Sequence, residues 1–178
     1  MSITWESRRA RRAEPTLLWV VDPSSPVTRA DLGVVRDIAH AVQGQLPVEV
    51  VVTGEDERAA AASTAVLALL ASSPEHPVRV VEDVCRAHVD DALDLADHGV
   101  VAQLADRRGL DAEAVRVLVG SDAVAGMAAE DRDIARCLGD PADHALYYLA
   151  GRDIHRLPGP GSSARELYAA LRQVHPAG

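Results

Sequence analysis

A short apolar run that stops at a turn and leads straight into a helix start constrains this chain most. The segment from Thr16 to Val21 is rich in β-branched side chains and predicts a buried strand. Ser25 and Pro26 follow, and these are favoured residues at the N-cap and first position of a helix. A strand that runs into a helix start places backbone N–H groups and the positive end of a helix dipole at Ser25, where anions and thiolates are commonly held. What this helix start holds therefore decides the function.

The remaining periodicity predicts β-α-β, a block of helices, and then β-β-α. A first helix extends to about Gln43, and a second apolar strand follows at 48–53. Five helical patterns fill residues 56–139, including one over 78–92, and a hairpin follows at 145–157. The last helix begins at a capping box formed by Ser163 and Glu166.

This order excludes a regular alternation of strands and helices, because too many helices follow one another. The chain also lacks a Gly-rich phosphate loop. We therefore predict an α/β, thioredoxin-like fold with an all-helical insertion between its two halves. The thioredoxin-like part comprises residues 16–54 and 140–176, the insertion comprises 55–139, and residues 1–15 form a flexible N-terminal arm.

Charge and apolar patterning limit the partners and the cellular location that we expect for the protein. The net charge of −9 argues against a nucleic-acid partner, and no run approaches the ~20 apolar residues of a membrane helix. No signal peptide is apparent, so we expect a cytoplasmic protein. Cys85 and Cys137 both lie in helical patterns, which predicts buried, reduced thiols. The histidines have no metal-ligand spacing, so no metal site is predicted.

The helix-start segment also resembles a known family. Residues 22–28 read Asp-Pro-Ser-Ser-Pro-Val-Thr, which is similar to the DsbA-type segment Asp-Pro-x-Cys-Pro-x-Cys. Residues 100–111 resemble a stretch of the same superfamily's helical insertion, and the segments at 138–139 and 157–160 also fit. The resemblance covers about 16–174. The superfamily includes kappa-class glutathione transferases and 2-hydroxychromene-2-carboxylate isomerases.

Two departures from the family pattern matter. Ser25 and Thr28 stand at the two cysteine positions, and a hydroxyl can neither act as the attacking thiolate nor form a disulfide. A dithiol oxidoreductase is therefore excluded. The family's cis-proline falls near His144, and because a non-proline cis bond costs ~3 kcal/mol we expect a trans peptide there.

The site residues have a structural and a functional interpretation. Ser25 is either a helix cap alone or, as the resemblance implies, a hydroxyl that stabilises the thiolate of bound glutathione or mycothiol. His144 is the candidate general acid–base facing Ser25, while Thr28 and Asp31 form a capping pattern that favours a structural role for Thr28. One of Tyr147 and Tyr148, on opposite strand faces, is expected to line a pocket. The predicted ligand-binding set is Asp22, Ser24, Ser25, Pro26, Thr28 and Tyr147.

The resulting hypothesis is a DsbA-like protein that has lost dithiol redox activity. It is expected to bind a small molecule, thiol or peptide as an accessory or tailoring protein, in a biosynthetic pathway. One alternative is a glutathione- or mycothiol-dependent isomerase or transferase that uses Ser25. Another is an interaction module that forms a homodimer through the helical insertion.

Overall fold

The computed structural model describes residues 14–54, 56–139 and 141–175. The predicted N-terminal arm lies almost entirely outside these residues. The described elements follow in the order β1 (Thr16–Val21), α1 (Pro26–Ala41), β2 (Val48–Val52), α2 (Glu57–Ser72), α3 (Pro77–Cys85), a π-helix (Arg86–Asp90), α4 (His98–Arg107), α5 (Ala112–Val119), α6 (Asp122–Cys137), β3 (His144–Ala150), β4 (Asp153–Arg156) and α7 (Ala164–Val174). This order confirms the predicted fold class.

The four strands form one sheet in the order β2-β1-β3-β4. The β1 strand is parallel to β2 and antiparallel to β3, with Val21 opposite both Val52 and His144. The ends of β1 and β2 and the beginning of β3 therefore meet at one edge of the sheet. The residues just beyond these strands, including Asp22 and Asp143, are brought together there.

Helices cover both faces of the sheet at β1 and β3, whereas β4 is exposed along its whole length. Every residue of β1 is buried. Trp19 faces a large cluster that contains residues of α1 and α7, whereas Val20 faces a smaller cluster with Ile134 on α6. The larger cluster also contains residues of α2, α3, α4 and α5, so the sheet and the helical block share one core. The division at residues 55–139 stays a prediction from the sequence.

Local capping signals explain most helix starts. Ser25, Asp97, Asp111 and Ser121 each accept a hydrogen bond from the first turn of their helix, as the sequence predicts. The predicted capping box at the start of α7 is also present. No described helix is long and apolar enough to cross a bilayer.

The pattern over 78–92 does not form one regular helix. It begins as α3 and continues as the π-helix, after which Ala92 adopts a left-handed φ of 53°. Arg29 on α1 contacts both carboxylate oxygens of Asp90 through its Nε, at 3.1 and 2.9 Å. The apolar spacing alone cannot distinguish a π-turn from an α-turn, because both bury side chains on one face.

Candidate functional site

The turn between β1 and α1 is held by its own side chains. Ser25 Oγ accepts hydrogen bonds from the backbone N–H groups of Val27 and Thr28, at 3.1 and 3.4 Å. Asp22 Oδ1 accepts from the backbone N and the hydroxyl of Ser24, at 2.8 and 2.7 Å. The interpretation of Ser25 as a helix cap is therefore confirmed.

Asp143 joins this turn to the start of β3, and the sequence analysis did not identify it. The Ser25 hydroxyl donates to Asp143 Oδ1 at 2.6 Å. Thr28 Oγ1 and the backbone N of Asp22 both donate to the Asp143 carbonyl oxygen, at 3.2 and 2.6 Å. A serine hydroxyl has one proton to donate, and here Asp143 receives it. In this arrangement Ser25 has no proton left for a ligand thiolate.

His144 contacts Asp31 rather than Ser25. His144 is 6% exposed, and its Nε2 lies 3.0 Å from Asp31 Oδ2. The same carboxylate oxygen accepts a hydrogen bond from the backbone N of Gly161 at 2.8 Å. Asp31 therefore joins α1, β3 and the loop before α7. The predicted capping pair of Thr28 and Asp31 is wrong, because the cap belongs to Ser25 and the Asp31 carboxylate is used elsewhere.

The peptide bond between Asp143 and His144 is trans, as expected for a position without proline. The Nδ1 atom of His144 is buried and makes no hydrogen bond within the described residues. The role of His144 as a general acid–base stays a prediction. Ser25, which His144 was expected to face, donates to Asp143 instead, and His144 contacts Asp31.

The charge at the helix start is negative. Burial raises the pKa of Asp22, two hydrogen bonds from Ser24 oppose this shift, and the carboxylates of Asp56 and Asp143 raise it further. A thiolate bound here would be attracted by the α1 dipole and repelled by these carboxylates. The surroundings therefore favour a hydrogen-bond donor or a cation over an anion.

Neither cysteine belongs to this turn, and the two do not form a disulfide. Cys85 is fully buried on α3, and burial raises the pKa of its thiol to about 12, against a smaller lowering by Arg29. Cys137 is the last residue of α6 and is exposed, which corrects the prediction of two buried thiols. Both are free. A thiol with so high a pKa is almost wholly protonated at neutral pH and does not attack disulfides.

Only part of the predicted ligand-binding set reaches the surface. Pro26 is exposed and Asp22 and Ser24 are half-buried. Ser25 is 6% exposed and Thr28 is fully buried, so neither hydroxyl lies at the surface. Val27, which the prediction omitted, is 40% exposed beside Pro26. Within the described residues no group of three or more His, Cys, Asp or Glu side chains is arranged to hold a metal ion.

Tyr147 and Tyr148 are both core residues. They are 3% and 4% exposed. The Tyr147 hydroxyl donates to the Leu138 carbonyl at 2.8 Å, and the Tyr148 hydroxyl lies 3.0 Å from Nδ1 of His175. Because helices cover both faces of β3, the expectation that one tyrosine lines a pocket is corrected.

Comparisons with solved structures identify the fold. A proposed protein disulfide isomerase from Nitrosomonas europaea superposes with a TM-score of 0.85 at 15% identity, covering 93% of this chain and 100% of that chain. Cytosolic disulfide reductase DsbM from Pseudomonas aeruginosa gives 0.75 at 18% identity, covering 91% and 100%. Reduced DsbA1 from Neisseria meningitidis gives 0.74 at 8% identity, covering 93% and 85%. No protein-family model matches the chain, and no curated protein matches its sequence. The chain thus has a DsbA-like thioredoxin fold.

Proposed function

We propose that this protein has lost dithiol redox activity and binds a small molecule, thiol or peptide at the start of α1. One observation carries the proposal. The hydroxyls of Ser25 and Thr28, at the two cysteine positions of the DsbA-type segment, both donate to Asp143. Thiol–disulfide exchange needs one thiolate to attack and a second thiol to resolve the mixed disulfide, and this turn supplies neither. An accessory or tailoring role in a cytoplasmic biosynthetic pathway is part of the same proposal.

The surface of the turn indicates the chemistry of the ligand. Pro26 and Val27 offer a small exposed apolar surface at the start of α1. Asp22 and Asp143 lie beside it as half-buried carboxylates. A ligand that places an apolar group on the first pair and a hydrogen-bond donor or cation near the second pair would match both features.

The thiol-dependent isomerase or transferase requires a different state of Ser25. Its hydroxyl proton would have to leave Asp143 and point at the sulfur of glutathione or mycothiol. That exchange would leave the Asp143 carboxylate without its donor beside a second negative charge. We therefore propose binding that does not depend on a thiolate. A homodimer formed through the helical block stays a prediction from the sequence.

A thermal-shift panel tests this proposal. The probes are reduced glutathione, S-methylglutathione, mycothiol and an amidated tripeptide with a central arginine. We expect S-methylglutathione to raise the Tm as much as glutathione, and the arginine peptide to raise it most. At 100 times the Kd a ligand adds about 2.7 kcal/mol, or roughly 5–10 °C for a chain of this size.

Matched variants locate the effect. Asp143→Ala is expected to abolish the shift with the arginine peptide, whereas Asp153→Ala, an exposed carboxylate on β4, leaves it unchanged. A shift that requires a free thiol and disappears in Ser25→Ala would instead support the thiol-dependent enzyme. No shift with any probe would contradict a binding site at this turn.

A further inference from the structure

A cleft lies at the opposite end of α1 from Ser25. Its volume is about 670 Å³, within the range of small-molecule sites. Its walls are the C-terminal half of α1, the loop at 43–47, and the loop and first turn at 74–79 that begin α3. The cleft begins on α1 at Arg36, which is 11 residues from Ser25 and about 16 Å along the helix. It is therefore distinct from the site proposed above.

The cleft has apolar residues in its lining beside charged and polar ones, and part of its wall is stiff. Leu46 and Val78 line it and are 4% and 8% exposed, so both are fixed in the core. Pro47, Pro74 and Pro77 also line it, and each fixes the backbone φ angle at its position. An apolar group could enter without an ordering cost in these walls.

The rim of the cleft carries cationic and N–H donor groups that the chain itself does not use. The side chains of His40, His76 and Arg79 are exposed and have no hydrogen-bond or ion-pair partner in the part of the chain that is described. Two carboxylates, Asp37 and Glu75, also lie on the rim. Arg36 also lines the cleft but pairs with Glu82 at 3.4 Å, so Arg79 is the lining arginine that has no partner within the described residues. An anion is therefore best placed at Arg79, although Glu75 lies on the same segment.

We infer that this cleft binds an amphipathic small molecule with a carboxylate or phosphate group. Its apolar part contacts the half-buried side chains of Ala39, Val48 and Pro77. Its anionic group contacts Arg79 and His76. A guanidinium pairs with either anion through two parallel N–H groups, and an imidazole N–H adds a third donor. The proposal requires that the anion, and not the apolar part alone, determines the affinity.

Probes with a common octyl chain test this requirement by titration calorimetry on the full chain. The set is octanoate, octyl phosphate, octanol and octylammonium. We expect octanoate and octyl phosphate to bind about tenfold more tightly than octylammonium. The affinity of octanol should lie between that of the two anions and that of octylammonium. A large difference between octanoate and octyl phosphate then distinguishes a carboxylate ligand from a phosphate ligand, and either result supports the proposal.

Three variants assign the contacts. Arg79 is exposed. Arg79→Gln is expected to weaken the binding of octanoate about three- to tenfold and to leave the binding of octanol unchanged. Arg116→Gln, an exposed arginine on α5, leaves both unchanged. Ala39→Leu places a larger side chain into the cleft and is expected to weaken every probe. Equal binding of all four probes, no binding of any, or an unchanged octanoate affinity in Arg79→Gln would overturn the proposal.

Discussion

Trp19→Ala is expected to lower the free energy of unfolding by about 3–5 kcal/mol. Trp19 lies in the middle of β1, one of the two inner strands, and is 0% exposed. Aromatic residues make up only 3% of the chain and phenylalanine is absent, so the core has few large side chains that could move into the cavity. Urea unfolding followed by circular dichroism measures the loss.

Two further variants control for the size of this effect. Trp19→Phe is expected to cost much less, because a ring remains and the indole Nε1, which has no hydrogen-bond partner among residues 14–54, 56–139 and 141–175, is removed. Val27→Ala at an exposed position is expected to change stability by about 0.5 kcal/mol or less. A loss below about 1 kcal/mol in Trp19→Ala would mean that β1 is not the buried centre of the sheet.

Asp31→Ala is expected to lower the free energy of unfolding by about 2–3 kcal/mol. The change leaves His144 Nε2 buried without a partner and releases the backbone N of Gly161 from its acceptor. Loosening of the loop before α7 should appear as faster amide exchange at Gly161. Chemical denaturation and hydrogen exchange together measure both effects.

Asp37→Ala is the matched control, since it removes an exposed carboxylate from the same helix. We expect it to change stability by about 0.5 kcal/mol or less. Equal losses in the two variants would show that the Asp31–His144 contact does not join α1 to the sheet. His144→Gln should retain more stability than His144→Ala, because its amide can still donate to Asp31.

The parts of the fold that the sequence predicts are those with local signals. The β1 strand is a continuous apolar run, and most helix starts carry a side chain that caps the backbone within three residues. The spacing of Cys137 from the apolar residues of its helix predicts a buried position. The spacing does not show that the helix ends at Cys137, where the side chain is exposed. The capping pattern of Thr28 and Asp31 is wrong because Ser25, three residues earlier, is the residue that caps the helix.

The contacts that define the site join residues far apart in the sequence. Ser25 and Asp143 are 118 residues apart, and Asp31 and His144 are 113 apart. No local pattern marks Asp143 as a partner for the helix start, since it stands in a loop just before β3. The antiparallel register of β1 and β3 brings it there, and that register depends on the whole sheet.

The rate of insulin reduction in the presence of dithiothreitol tests the central claim most directly. The turn at the start of α1 has hydroxyls where a dithiol would be needed, and Cys85 is buried with a raised pKa. We therefore predict that the wild-type protein leaves the rate at that of dithiothreitol alone. A rate above that background, lost when Cys85 or Cys137 is changed to serine, would contradict the account.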